Sequence, residues 1–196
     1  SALVISKRGD QALKEKFLKN IVSIDDVCSY CLTEPGSGSD AAALKTKAAI
    51  TNEGYSLNGS KSFISGGGFS DLYVVLCRTG DQTPNGISMV LVENGQTGLS
   101  FGKKEQKMGW KAQPTAIVQF DNCSIPAANL VGEEGDGFKY AMEGLDGGRL
   151  NIAAASLGGA QKAYESAKSY SKERSAFGKP ISKFQSIEFK LADMAT

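Results

Sequence analysis

The chain has 196 residues, 22 Lys and Arg against 21 Asp and Glu, and a net charge of +1. Charge is mixed along the chain, so it offers neither a basic footprint for nucleic acid nor a polybasic membrane patch, and its longest apolar runs fall far short of the ~20 residues of a membrane span. It has no histidine and four cysteines. The first fact excludes Ser-His-Asp and Cys-His catalysis and His-based zinc chemistry. Cys28-x-x-Cys31 has the spacing of a redox pair or half a zinc site, but there is no second Cys-x-x-Cys and no histidine to complete a metal site.

In chain order, Asp10 caps a short helix through Phe17-Leu18. Leu13 and Phe17 share one face, a stripe too small to be buried alone. From Val27 to Asn129 the texture is β, with short runs rich in Val, Ile, Tyr and Phe separated by Gly, Asn, Asp and Pro. Strands are expected at Cys28–Leu32, Ala41–Ile50, Gly54–Leu57, Ser60–Ser65, Leu72–Arg78, Ile87–Glu93, Leu99–Phe101 and Ala116–Cys123. Asn58-Gly59 reads as the turn of a hairpin. Such spacing argues for a sandwich or barrel. Near Gly137 the period changes, and Phe138 to about Arg174 reads as one long helix with many small residues. Gly147-Gly148 implies a break or a close approach within it. Ser182-Lys183-Phe184-Gln185 reads as a capping box opening a further helix. The fold class expected is α+β: an antiparallel β-barrel or sandwich followed by long helices of an incomplete bundle. The expected domains are a helical tail (1–24), a β domain (25–134) and a helical domain (135–196).

The most informative stretch is Tyr30-Cys31-Leu32-Thr33-Glu34-Pro35-Gly36-Ser37-Gly38-Ser39-Asp40. An apolar strand ends in a loop rich in hydroxyls and glycines. Such a loop suits a ligand with carbonyl and phosphate oxygens, and the same composition also suits a plain surface turn.

The order of residues there resembles the flavin-binding signature of the acyl-CoA dehydrogenase family. Leu57-Asn58-Gly59-Ser60-Lys61-Ser62-Phe63-Ile64-Ser65-Gly66, Gly144-Leu145-Asp146-Gly147-Gly148-Arg149 and Glu173-Arg174-Ser175-Ala176-Phe177-Gly178-Lys179-Pro180 continue the resemblance in the family's order. It implies FAD as cofactor, an acyl-CoA substrate oxidised to the 2,3-enoyl thioester, and electron-transferring flavoprotein as electron acceptor. It also implies a homo-oligomer, dimer or tetramer, and a mitochondrial matrix location. Tyr30, Cys31, Leu32 and Thr33 match the strand beside the flavin ring, and Thr33 matches the hydroxyl that bonds it. Ser39 matches a position shared by cofactor and substrate. Phe63, Ile64 and Ser65 match a flavin-facing wall. Asp146 and Arg149 match contacts to the CoA. Arg174, Phe177, Phe184 and Gln185 match positions facing a neighbouring subunit's FAD. No residue of this chain matches the catalytic base. The position that carries it in a minority of members is Gly148 here, and in most members it lies beyond the position matching Thr196. A piece of a longer enzyme is therefore expected. The stretch from Gly98 to Thr115 most resembles the family's isobutyryl-CoA branch, which serves valine breakdown. An acyl-CoA oxidase of the same superfamily, or a non-catalytic assembly module, remains open at this point.

Overall fold

The computed structural model describes residues 1–196. They form two compact units, Ser1–Gly144 and Leu145–Thr196, and the class is α+β.

The first unit begins with α1 (Ala2–Arg8), α2 (Gln11–Leu13), a π-helical turn over Lys14–Leu18, and α3 (Lys19–Ser23). The Asp10 carboxylate accepts from the Leu13 amide at 2.8 Å, as a cap should. Leu13 and Phe17 are buried. The stripe that the short helix could not bury alone is thus covered from within the same unit.

Seven strands follow: β1 (Cys28–Cys31), β2 (Lys47–Thr51), β3 (Gly54–Ser65), β4 (Leu72–Arg78), β5 (Ile87–Glu93), β6 (Leu99–Phe101) and β7 (Thr115–Pro126). They form one sheet in the order β1-β4-β2-β3-β7-β6, with β5 on the other edge of β4. β1 and β2 share one edge of β4, and both pair with it in parallel. The antiparallel reading holds for the remaining pairings.

Every residue of β4 is buried, because the strand has a core on each side. Leu72, Val74 and Leu76 pack with Ile87, Met89 and Leu91 of β5 beneath Val4, Ile5, Leu13, Phe17, Tyr140 and Ala141. Tyr73, Val75 and Cys77 point the other way, toward Leu57, Ile64, Val118, Phe120 and Ile125. This continuous apolar run is what a strand covered on both faces requires.

The hairpin expected at Asn58-Gly59 is absent there, and β3 runs straight through. The turn lies instead at Asn52-Glu53, between β2 and β3. Asn58 Oδ1 accepts from the Asn122 amide at 2.8 Å, across a bulge in β7. Gly59 has φ +148, and a Cβ there would stand 2.7 Å from Thr46 Cα. The glycine therefore serves a close backbone approach. Ala41–Ala43, expected as strand, is a 3-10 turn.

α4 (Gly137–Glu173) is unbroken through Gly147 and Gly148, where an added Cβ would meet nothing within 4 Å. Neither the break nor a close approach by this chain is found. In the second unit Leu150, Ile152 and Leu157 of that helix are exposed. A small hairpin follows, β8 (Ser175–Ala176) and β9 (Lys179–Pro180), and then α5 (Gln185–Ala195). The expected capping box does not form. Ser182 lies in a 3-10 turn, and the N-cap of α5 is Phe184, without a side-chain cap.

Candidate functional site

The loop after β1 folds on itself first. Glu34 and Ser37 exchange backbone hydrogen bonds, Glu34 N to Ser37 O at 2.9 Å and Ser37 N to Glu34 O at 3.2 Å. Pro35-Gly36 is left at the tip of the turn. Ser37 Oγ donates to the Asp40 carbonyl at 2.6 Å. A Cβ at Gly36 or Gly38 would meet nothing within 4 Å, so the outer side of the loop is open.

A buried ion pair then ties the loop down. Lys61 Nζ stands 2.9 Å from Glu34 Oε1, with the lysine side chain fully buried and the glutamate 7% exposed. Lys61 Nζ also donates to the Leu32 carbonyl at 3.0 Å. The two Glu34 oxygens accept from the amides of Lys45 at 2.7 Å and Thr46 at 2.9 Å. Burial alone would raise the Glu34 pKa, but the Lys61 charge and these donors outweigh it and hold the carboxyl below its usual range. Burial pushes the Lys61 ammonium below its usual value, with Glu34 opposing.

β3 is bulged between Lys61 and Ile64. The Ser62 amide leaves the ladder and donates to the Thr33 carbonyl at 2.8 Å. Phe63 takes φ +57 and turns its ring outward, 67% exposed. Ser65 O accepts from Ser29 Oγ at 2.5 Å, and Ser29 Oγ lies 2.7 Å from Ser70 Oγ. The end of β1 and the bulged end of β3 therefore run side by side. Thr33 and Phe63 lie beside that seam. A bulge in this place re-aims a side chain, a role bulges commonly have near sites.

The residues singled out in the sequence separate into groups. Thr33, Phe63, Ile64 and Ser65 come together along the seam, and Ser39 lies exposed on the loop that starts there. Ile64 is buried, so only its backbone is offered. Tyr30 packs against the helix-covered core, Cys31 is buried in the opposite one, and the half-buried Leu32 offers its carbonyl to Lys61 rather than to the site. Burial raises the Cys31 thiol and lifts that of Cys77 to about 12, and all four cysteines are free. In the second unit Arg149 donates to Asp146 at 2.6 Å, both largely exposed. Arg174 ends the long helix, and Ile181 N donates to its carbonyl at 2.8 Å. Phe177 and Gly178 form the hairpin turn with φ +51 and +76, as a two-residue primed turn demands. The Phe177 ring meets Phe184 edge-on at 6.2 Å. Gln185 opens α5 and is exposed.

Reading the sequence missed two features. Glu34 and Lys61 stood in the sequence only as members of longer motifs with no role of their own, and nothing local marks their charges as buried. A groove of about 1000 Å³ opens beside Ser65, walled by Phe69, Lys104, Trp110, Lys111 and Gln113. Trp110, at φ +51, is a prominent exposed residue of its rim.

The site fits a flat, oxygen-rich cofactor. The outward ring of Phe63 lies along the seam with the hydroxyl-bearing Thr33 and Ser65, and Ser39 lies with the open glycines on the loop that starts there. The loop is held by Glu34, Ser37 and Lys61, which leaves those three hydroxyls free of that task.

The sequence profiles described as "Acyl-CoA dehydrogenase, middle domain" and "Acyl-CoA dehydrogenase, C-terminal domain" match residues 29–123 and 135–196. A mitochondrial isobutyryl-CoA dehydrogenase of Dictyostelium discoideum is 53% identical over 96% of this chain and 45% of its own length. The solved butyryl-CoA dehydrogenase of Megasphaera elsdenii superposes with a TM-score of 0.94 at 46% identity, covering 99% of this chain and 51% of that one. The structure described as "PigA with FAD and proline" superposes at 0.93 and 29% identity, covering 99% and 51%. The chain thus spans about half the length of the relatives it matches. With both profiles matched in order and one fold throughout, the chain belongs to the acyl-CoA dehydrogenase family.

Proposed function

We propose that the whole protein is an FAD-dependent acyl-CoA dehydrogenase acting on a short, branched acyl-CoA of the isobutyryl type. The observation that carries the reading is the seam where Thr33 and the outward ring of Phe63 are locked side by side by the Ser62–Thr33 hydrogen bond. FAD, when bound, supplies the two-electron acceptor for the substrate's β-hydrogen.

This chain's own residues bind and orient. Thr33 would offer its hydroxyl to the flavin, Phe63 would stack on it, and Ser39 would serve both cofactor and substrate. Ile64 and Ser65 complete the wall with their backbone, and Tyr30, Cys31 and Leu32 shape the strand behind it. Asp146 and Arg149 take the CoA end of the substrate. Arg174, a permanently charged fork suited to a diphosphate, acts with Phe177, Phe184 and Gln185 on a neighbouring subunit's FAD, which makes the protein a dimer or tetramer. With Gly148 at the one family position that falls within this chain, the base that takes the α-proton comes from residues outside it. Electron-transferring flavoprotein is the proposed acceptor. The mitochondrial matrix is the proposed location, supported by the relative from Dictyostelium.

The test is turnover of the full-length enzyme with an artificial electron acceptor. Isobutyryl-CoA should be oxidised faster than straight long-chain acyl-CoAs. Activity confined to long chains contradicts the substrate proposed.

A further inference from the structure

Lys61 occupies a strand position whose partner in register is Val118, a core residue. A buried ion pair is a poor way to gain stability, because apolar residues of the same volume often do as well or better. The geometry around this pair suggests another use. One ammonium and one carboxylate tie together four pieces of chain: the end of β1 through Leu32 O, the loop through Glu34, the approach to β2 through the Lys45 and Thr46 amides, and β3 itself. Thr33 lies between Leu32 and Glu34, both held by Lys61. Ser62 and Phe63 follow Lys61 directly.

The far end of the same loop is held in the opposite sense. The Arg78 guanidinium, 5% exposed, donates to the carbonyls of Ala42 at 2.7 Å and Leu44 at 3.2 Å, and to those of Asp81 and Thr83. Ala42 and Leu44 therefore give their carbonyls to a buried cation, and Lys45 and Thr46 give their amides to a buried anion. The segment that carries Ser39 is fixed at both ends.

We infer that the Lys61–Glu34 pair is a positioning device for the cofactor: it sets Thr33 and Phe63 at a fixed separation and so governs flavin affinity and reduction potential. This rests on the reading of Thr33, Ser39 and Phe63 as part of a flavin site. Neither residue of the pair touches the cofactor. They act through Thr33 and the bulge.

The experiment uses the full-length holoprotein with three variants: Glu34→Gln, Lys61→Met, and the two combined. Melting temperature is read on flavin-free protein, FAD affinity by equilibrium titration, and midpoint potential by spectroelectrochemistry. Each single variant leaves a partner unpaired and should melt lower. The double variant removes the unpaired charge and should recover most of that loss. Its FAD dissociation constant should nonetheless stay raised by about 10- to 100-fold, with a displaced potential. A double variant that regains affinity and potential together with its melting temperature overturns the inference. Should the double variant not fold, Glu34→Asp keeps the charge and draws the carboxylate back by one methylene. It should fold and bind FAD more weakly, and wild-type affinity there overturns the inference. Failure of both to fold also overturns it, since the pair would then be a requirement of the fold itself. A wild-type protein that binds no flavin defeats the cofactor reading as well, which separates the two failures.

Discussion

Phe63 carries a conformation that works against its own stability. Its φ of +57 costs a non-glycine residue about 1–2 kcal/mol, and the exposed ring recovers little by burial. Phe63→Gly is therefore expected to leave the flavin-free protein as stable as before or up to about 1 kcal/mol more so. The same change should weaken FAD binding, because the ring is lost. Thermal melting without flavin and a flavin titration read the two effects, and their opposite signs mark strain kept for function. At Gly59 both effects point the same way. Its φ of +148 and the 2.7 Å approach to Thr46 Cα predict that Gly59→Ala costs about 1–3 kcal/mol, read as a lowered melting temperature. The sequence announced the glycine at 59 but not its purpose, and nothing in it marked the left-handed backbone of Phe63. Asn-Gly is the commonest sign of a tight turn, and only the Asn122 bulge across the sheet turns it into a through-strand contact. The proposed site positions Thr33, Phe63 and Ser65 stood out in the sequence as candidates because side-chain type and order mark them. Glu34 and Lys61 were not, because burial of a charge depends on chain segments far apart in sequence.

Among the elements, β4 carries both cores. Leu76, fully buried, faces the helix-covered side, and Leu76→Ala is expected to cost about 2–5 kcal/mol, measurable by chemical denaturation. The strand was legible from its unbroken apolar run. Its parallel pairing with β1 and β2 was not, since pairing direction is set by long connections rather than by local pattern. The loop between β1 and β2 should be the acid-sensitive element. The folded Glu34 pKa lies below its ordinary value of 4.5, so its stabilisation is complete above that value and is lost as pH falls through the folded pKa. Below it, Lys61 loses the negative partner that opposes the effect of its burial. The other titratable groups facing Lys61 are the Cys31 and Cys77 thiols, which stay protonated throughout. Melting curves from pH 7 to pH 3 should fall more steeply for the wild type than for the Glu34→Gln, Lys61→Met double variant. Parallel curves would contradict this assignment.

For the molecule as a whole, both units are built to meet something. The first offers an open seam of aromatic ring, hydroxyls and glycine loop beside a groove. The second, taken alone, exposes Leu150, Ile152 and Leu157 on its long helix, with Phe177 at its hairpin tip. Composition had already narrowed the chemistry. With no histidine in the chain, its chemistry is left to carboxylates, hydroxyls, thiols or a bound cofactor. The length of the helix was legible from its period, and its partners were not, because a helix face states that it needs cover without stating whose. The central claim is that this seam holds a flavin in a short-chain acyl-CoA dehydrogenase. The most direct measurement is the visible spectrum of the purified full-length protein before and after anaerobic addition of isobutyryl-CoA. The account predicts an oxidised flavin band that bleaches on addition of the substrate in the wild type, and a protein that loses its flavin on desalting when Phe63 is replaced by glycine. A folded wild-type protein without a flavin band, or one whose band is untouched by any short acyl-CoA, would contradict it.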